Sequence, residues 1–276
     1  LLNERLGSDR VHFHTGTHYR HLLVIDGGKA AINCWPPHDH LETPVDQLPV
    51  TATAPEGEET AAMLNQLVEA SRSILAEIPW VKEKAARHER RPTSIWPWAA
   101  GEKPHMIPIK ELTGLSGATI TAVDLIKGLG IYAGMTPIHV EGATGNWQTN
   151  YEGKAAAAIE ALKTYDYIYL HVEAADEAGH DGDMKLKMSV IEDLDSRLIA
   201  PIMKHIDETG LDIRIALLPD HPTPVETRLH TKDPVPVAIW GSGITADDVT
   251  TFDEESVKSG RLGLLDQKAF FHHFFQ

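Results

Sequence analysis

Tyr167-Ile168-Tyr169-Leu170-His171-Val172, running on into Glu173-Ala174-Ala175-Asp176-Glu177-Ala178-Gly179-His180, is the stretch from which the fold follows. Its first six residues are largely aromatic or β-branched and predict a strand. Just beyond them Asp176 and His180 stand four residues apart. Downstream, a long amphipathic helix is predicted over Lys185–Ile206, with a kink at Pro201, then strands over Ile213–Leu218 and Val235–Trp240. Upstream, a strand over Ala118–Thr121 leads to a helix through Leu125, Ile126 and Leu129. A strand over Pro137–Val140 and an Ala-rich helix over Tyr151–Leu162 follow. Strands separated by helices imply an α/β architecture with a mostly parallel, doubly wound sheet flanked by helices. Ligands of such sheets gather at the carboxyl ends of strands.

Three polar groups fall at or near those ends. Asp176 follows the first strand, Asp220 and His221 follow Ile213–Leu218 directly, and His230 precedes Val235–Trp240. Carboxylate oxygens mixed with imidazole nitrogens suit divalent ions of the Mn, Zn or Mg kind, not an iron–sulfur or all-thiolate site. One chance Asp-His pair means little among 16 His and 40 acidic residues. Three groups at strand ends in one half of the chain mean more: if they converge, they make a two-metal site suited to phosphoryl transfer.

The amino-terminal part is organised differently. His21–Ile25 is a short apolar run ended by Asp26-Gly27-Gly28, hence a strand entering a turn. Cys34-Trp35-Pro36-Pro37-His38-Asp39 is a proline-stiffened loop, and residues 41–57 read as an exposed connection. Apolar positions from Glu58 to Ile78 recur at helical spacing until Pro79. His12, His14, His18 and His21, alternating with Phe13 and Tyr19, read as a strand face. Trp96-Pro97-Trp98 reads as a packed strand, and the phenylalanines around His272-His273 as a core-packing terminal helix. A domain boundary is expected near residue 105, dividing the chain into 1–105 and 106–276. Leu1-Leu2-Asn3-Glu4 is neither a start nor a signal peptide, so the chain is expected to begin inside a larger protein.

Composition bounds the partners. Of 276 residues, 42% are hydrophobic and 24% charged, as in a soluble globular protein, and the net charge of −15 argues against non-specific nucleic-acid binding. Cys34 is the sole cysteine, which excludes an intramolecular disulfide and a cysteine-based zinc site and points to a reducing cytoplasm. No apolar run approaches the roughly 20 residues of a membrane span.

The runs H-V-E-A-A-D-E-A-G-H-D-G-D (171–183), L-P-D-H-P-T-P (218–224) and H-T-K-D-P-V-P-V-A-I-W-G (230–241) resemble the alkaline phosphatase superfamily. More narrowly they resemble its archaeal-type, 2,3-bisphosphoglycerate-independent phosphoglycerate mutases. The likeness continues through 117–130, 142–155 and P-P-H-D (36–39), and so covers most of the chain. It implies an alkaline-phosphatase-like domain with part of an inserted α/β substrate-binding domain in residues 1–105. It also implies one metal held by Asp176, His180 and His230, and a second held by Asp220 and His221 with an Asp and a Ser near the family's amino terminus. That Ser is the family's nucleophile: it would take the phosphate of 3-phosphoglycerate as phosphoserine and return it to the 2-hydroxyl, with no bisphosphoglycerate cofactor. This chain has no D-G-x-G-D-type segment and no serine in the right context, so it is expected to hold one complete metal site and half of another and not to turn over alone.

Three further residues are candidates for substrate contact. Arg20 either clamps a carboxylate or phosphate or is an ion-paired surface arginine; the resemblance, which places an aromatic-Arg pair here, favours the clamp. His38 sits in the stiffened loop, although the family's D-I-x-G is replaced by Asp39-His40-Leu41-Glu42. Lys127, at what reads as a helix end, either reaches a phosphate or is an ordinary surface lysine, and Lys154 is open to the same two readings. The G-A-T-G turn, Gly142–Gly145, lacks P-loop spacing. Two other functions stay open: another phosphotransferase or phosphatase of the superfamily, and a non-catalytic metal-binding relative.

Overall fold

A computed structural model describes residues 1–16, 20–37, 40 and 43–275. The chain divides into two compact units, Leu1–Pro104 and His105–Gln276.

In the first unit, helix α1 (Leu2–Leu6) precedes an antiparallel hairpin of β1 (Val11–His14) and β2 (Leu22–Ile25), in register Val11 to Ile25 and His14 to Leu22. Two short strands, β3 (Ile32–Asn33) and β4 (Thr51–Ala52), form a second antiparallel pair. Helix α2 (Glu58–Glu77) buries Ala61, Leu64, Leu67, Ile74 and Leu75, a spacing of three and four that lays one apolar face inward. Val11, Val50, Ala61, Leu64 and Leu67 form the core, with Phe13, Leu23, Ile25 and Ile32 packed on it. Asn65, on the same helix, accepts from the amide of Val50 at 3.0 Å and donates to its carbonyl at 2.8 Å, which satisfies an otherwise orphaned peptide. Pro79 ends α2 and opens α3 (Pro79–Ala86), because a proline is tolerated in the first turn of a helix but not inside one. The Trp96-Pro97-Trp98 stretch is not a strand: Trp96 is anchored by its indole N–H to the carbonyl of Trp35 at 2.7 Å, and Pro97 has no N–H to give a ladder.

The second unit starts with α4 (Ile109–Thr113), which ends at Gly114 in the left-handed conformation. Strand β5 (Gly117–Ile120) is buried at all four positions, as befits the centre of a parallel sheet. It is followed by α5 (Asp124–Tyr132), β6 (Thr136–Ile138), α6 (Tyr151–Ala161) and β7 (Tyr167–Leu170). The strand order is β6-β5-β7, all parallel. Next come α7 (Ala174–Asp181), α8 (Met184–Asp193), a π-helical segment Leu194–Ile199 and α9 (Ala200–Thr209). The irregularity expected at Pro201 therefore begins one turn earlier. Pro201 cannot donate to the carbonyl of Arg197, and the helix widens there. Tyr151 and Ala155 of α6, Ala174 of α7, Val190 of α8 and Leu198 of the π-helical segment form one core cluster, while Ala158 of α6 packs with Ile120 of β5; Ile202 of α9 lies against both.

The last pair departs from the expected parallel order. Strands β8 (Arg214–Leu217) and β9 (Ala238–Gly241) are antiparallel, with Arg214 opposite Gly241. No helix lies between them, and a parallel return would require a crossover. Loop 218–237 instead turns back, and it carries Asp220, His221 and His230. The architecture is thus mixed α/β, with a parallel sheet flanked by helices. Helix α10 (Gln267–Phe275) closes the chain. Its phenylalanines are half-buried, with Phe275 5.2 Å from the ring of Tyr167, while His272 and His273 face solvent.

Candidate metal centre

Helix α7 begins four residues after β7 ends, so its first turn sits at the carboxyl end of the parallel sheet. Asp176 lies in that first turn and His180 one turn later, a spacing that stacks both side chains on one face of the helix. Across from them, loop 218–237 delivers His221 and His230. Asp176 Oδ2 is 3.3 Å from His180 Nε2, and Asp176 Oδ1 is 3.3 Å from His230 Nε2. The two imidazoles meet Nε2 to Nε2 at 3.0 Å. One ligand atom from each of Asp176, His180 and His230 falls within 4.8 Å of the others.

Two imidazole nitrogens and a carboxylate at these separations can share either a proton or a cation. Nδ1 of His180 is 2.8 Å from the carbonyl of Arg228, a bond in which only the ring can donate. In the neutral ring this leaves Nε2 with a bare lone pair, aimed at the corresponding nitrogen of His230. Ligands around a tetrahedral ion at 2.0–2.1 Å stand about 3.3 Å apart. The observed 3.0–3.3 Å edges match that figure, so this donor set fits a small divalent cation.

The supporting groups are set by the local sequence. Thr223 is 3% exposed and donates its hydroxyl to Asp176 Oδ1, fixing the carboxylate rotamer. The carbonyl of Thr223 accepts from Lys187 Nζ at 2.7 Å, which ties the loop to α8. Gly179 makes this approach possible: a Cβ there would sit 2.4 Å from that same carbonyl. Arg228, whose carbonyl holds His180, has φ of 55°, a left-handed backbone that a bulky residue rarely adopts.

Asp220 and His221 form a second pair beside the first group. His221 Nε2 is 3.4 Å from Asp220 Oδ2, its Nδ1 is 4.0 Å from Asp176 Oδ1, and its ring stacks on His230 at 3.7 Å. All five residues singled out from the carboxy-terminal half thus come together. Glu173 and Glu177, not singled out, bring their carboxylates into the same cluster with Asp176. Burial pushes the carboxyl of Glu173 upward, and the charges of Asp176, Glu177 and Asp220 push it the same way.

The substrate candidates fare differently. Lys127 lies in the first turn of α5, near its amino-terminal end, where its Nζ is 3.4 Å from Asp124 of the same helix. Arg20 belongs to the first unit and is exposed just ahead of β2. His38 and Asp39 lie outside the described residues. Lys154 is not a surface lysine: it is buried in α6 and hydrogen-bonded to a backbone carbonyl. Thr223 had no signal of its own, and Lys154, singled out in the sequence, gave no sign of its burial, because burial is a property of the folded chain. Gly179, a glycine inside a helix between Ala178 and His180, was the one local hint of a close approach.

Comparison with known proteins gives the chain's relatives. A protein of Methanosarcina acetivorans named 2,3-bisphosphoglycerate-independent phosphoglycerate mutase is 47% identical over 268 residues, covering 96% of this chain and 66% of its own length. A Geobacter sulfurreducens protein named as a probable enzyme of the same kind is 42% identical, covering 95% of this chain and 64% of its own. The solved cofactor-independent phosphoglycerate mutase of Thermoplasma acidophilum superposes with a TM-score of 0.59 at 25% identity, over 94% of this chain and 64% of that one. The chain therefore spans about two thirds of the length of the curated relatives it matches. The sequence profile described as the metalloenzyme superfamily matches residues 7–275. By that match, which runs through both units and includes the converging Asp and His residues, the chain belongs to the metalloenzyme superfamily.

Proposed function

We propose that this chain carries the metal-binding part of a 2,3-bisphosphoglycerate-independent phosphoglycerate mutase, which moves the phosphoryl group of 3-phosphoglycerate to the 2-hydroxyl through a phosphoserine. The observation that carries the reading is the meeting of Asp176, His180 and His230 at 3.0–3.3 Å, with Asp220 and His221 alongside. The unit from His105 is read as the metal-carrying domain, and the unit ending at Pro104 as the remainder of a substrate-binding insert. In this reading Asp176, His180 and His230 hold one ion and Asp220 and His221 contribute to a second, the metals being Mn, Zn or Mg. Such ions, when bound, supply positive charge to a phosphoryl group and its attacking oxygen.

The chain's own residues orient and supply that site. The Arg228 carbonyl keeps the proton of His180 on Nδ1, so Nε2 stays a ligand. Thr223 keeps Asp176 turned toward the imidazoles. The hydroxyl beside Asp176 is that of Thr223 and not of a serine, and no serine of this chain is assigned as nucleophile. Arg20, His38 and Lys127 are assigned to substrate contact, and a cytoplasmic setting suits a soluble phosphorylated substrate and a lone free cysteine, Cys34.

Metal analysis with isothermal titration of Mn²⁺ tests the reading. Asp176→Ala is expected to abolish tight binding, and Asp220→Ala to change it little. Equal binding by all three proteins would sink the ligand assignment. Interconversion of the two phosphoglycerates by the 276-residue chain alone would refute the placing of the nucleophile outside it.

A further inference from the structure

Lys154 is 1% exposed, and its Nζ donates to the carbonyl of His171 at 3.2 Å. An ammonium is strongly hydrated and has three donors, so enclosing it is unfavourable unless charge and hydrogen bonds face it. What faces it leads to the candidate metal centre. His171 is the first residue beyond β7, and its amide donates to the carbonyl of Ile120 at 2.9 Å. Its ring Nδ1 lies 3.3 Å from the hydroxyl of Thr121, and its Nε2 lies 3.3 Å from the carboxylate of Glu173. Glu173 attracts the ammonium electrostatically and is the N-cap residue of α7. Its carbonyl accepts from the amides of Asp176 at 2.9 Å and Glu177 at 3.2 Å. A continuous set of polar contacts thus runs from the buried lysine to the turn that presents Asp176.

That turn concentrates like charge. The carboxylates of Glu173, Asp176 and Glu177 each place an oxygen within 4.8 Å of the others. The amino-terminal end of α7 attracts them, but an eight-residue helix carries only a fraction of a charge there. Lys154 brings a whole positive charge to the strand end that feeds this turn. Helix α6 in turn is anchored: Asn150 accepts from Gly153 N at 2.8 Å and donates to the Glu141 carbonyl at 2.8 Å. The ammonium is therefore delivered from a rigid element.

We propose that Lys154 is a positioning residue for the metal centre: its buried ammonium fixes the end of β7 and restrains the carboxylates of α7, so that Asp176 is held in ligand geometry. The inference rests on the metal-binding reading of Asp176, His180 and His230. A cation placed only to neutralise charge would oppose a metal ion, so its removal would tighten binding. A positioning role requires the reverse.

The test compares the 276-residue wild type with Lys154→Met and Asp176→Ala, using Mn²⁺ titration and the visible absorption of bound Co²⁺, which reports ligand geometry independently of turnover. Lys154→Met is expected to bind Mn²⁺ about ten-fold or more weakly, the loss typical of removing a group that orients a ligand, with an altered Co²⁺ band. Unchanged or tighter binding with the wild-type Co²⁺ spectrum, in a variant of normal circular dichroism, overturns the proposal. Should Lys154→Met fail to fold, Lys154→Gln, which keeps a donor for the His171 carbonyl, is judged by the same two outcomes. If wild type and Asp176→Ala bind Co²⁺ equally, the metal reading itself has failed, and this inference falls with it.

Discussion

Replacing Lys154 by methionine is expected to make the protein more stable at neutral pH while it weakens metal binding. Burial holds the ammonium down from its ordinary 10.5 to about 8, with Glu173 partly offsetting the shift. The folded pKa lies below the unfolded one, so the unfolded chain binds the proton more tightly. Below pH 8 both states are protonated, and the folded state carries the whole penalty. At 1.36 kcal/mol per unit, a shift of this size is worth about 3 kcal/mol. As pH rises from 8 toward 10.5 the folded state releases the proton first, and the penalty fades to a few tenths of a kcal/mol. Methionine fills the volume without charge but loses the charge-assisted bond to the His171 carbonyl, worth about 2 kcal/mol. The variant should therefore exceed wild type by about 1 kcal/mol at pH 7 and lose that advantage by pH 10.5, read from urea unfolding of both proteins at several pH values. A variant less stable than wild type at pH 7, or a difference that does not move with pH, would refute the reasoning.

Other consequences are read more simply. Gly179→Ala drives a Cβ to 2.4 Å from the Thr223 carbonyl. It should cost about 1–3 kcal/mol of stability and weaken Mn²⁺ binding, whereas Gly128→Ala, with nothing within 4 Å, should gain up to about 1 kcal/mol. Both are read by denaturant unfolding. Asn150→Ala removes the cap of α6 and should lower stability by about 1 kcal/mol in the same assay. Mn²⁺ at a hundred times its Kd should add about 2.7 kcal/mol to the stability of wild type. A chelator should remove this gain, and His230→Ala should show none; a gain persisting in His230→Ala would exclude His230 as a ligand.

Much of the carboxy-terminal half could be read before folding because its signals are local. A run such as Tyr167–Leu170 is apolar on both faces, and a parallel central strand such as Gly117–Ile120 demands that pattern wherever it occurs. Asp176 and His180 are likewise one helical turn apart by spacing alone. The antiparallel return of β9 was not legible, because loop 218–237 contains no element whose pattern sets its direction. The same holds for Trp96-Pro97-Trp98, where a long-range bond from Trp96 to the carbonyl of Trp35 decides the conformation and residue type does not. For Lys127 the helix through Leu125, Ile126 and Leu129 was legible, but the side chain's partner was not: its Nζ lies beside Asp124 in the first turn of α5.

By itself the amino-acid sequence determined most of the regular elements of the carboxy-terminal half and which side chains carry ligand chemistry, since periodicity, proline placement and donor type are properties of short segments. Only the tertiary structure decided that His180 and His230, fifty residues apart, face each other at 3.0 Å, and that a lysine in α6 is sealed against the strand end beside them. Those outcomes depend on where distant segments pack, and packing is settled by the burial of the whole chain, which no local stretch contains.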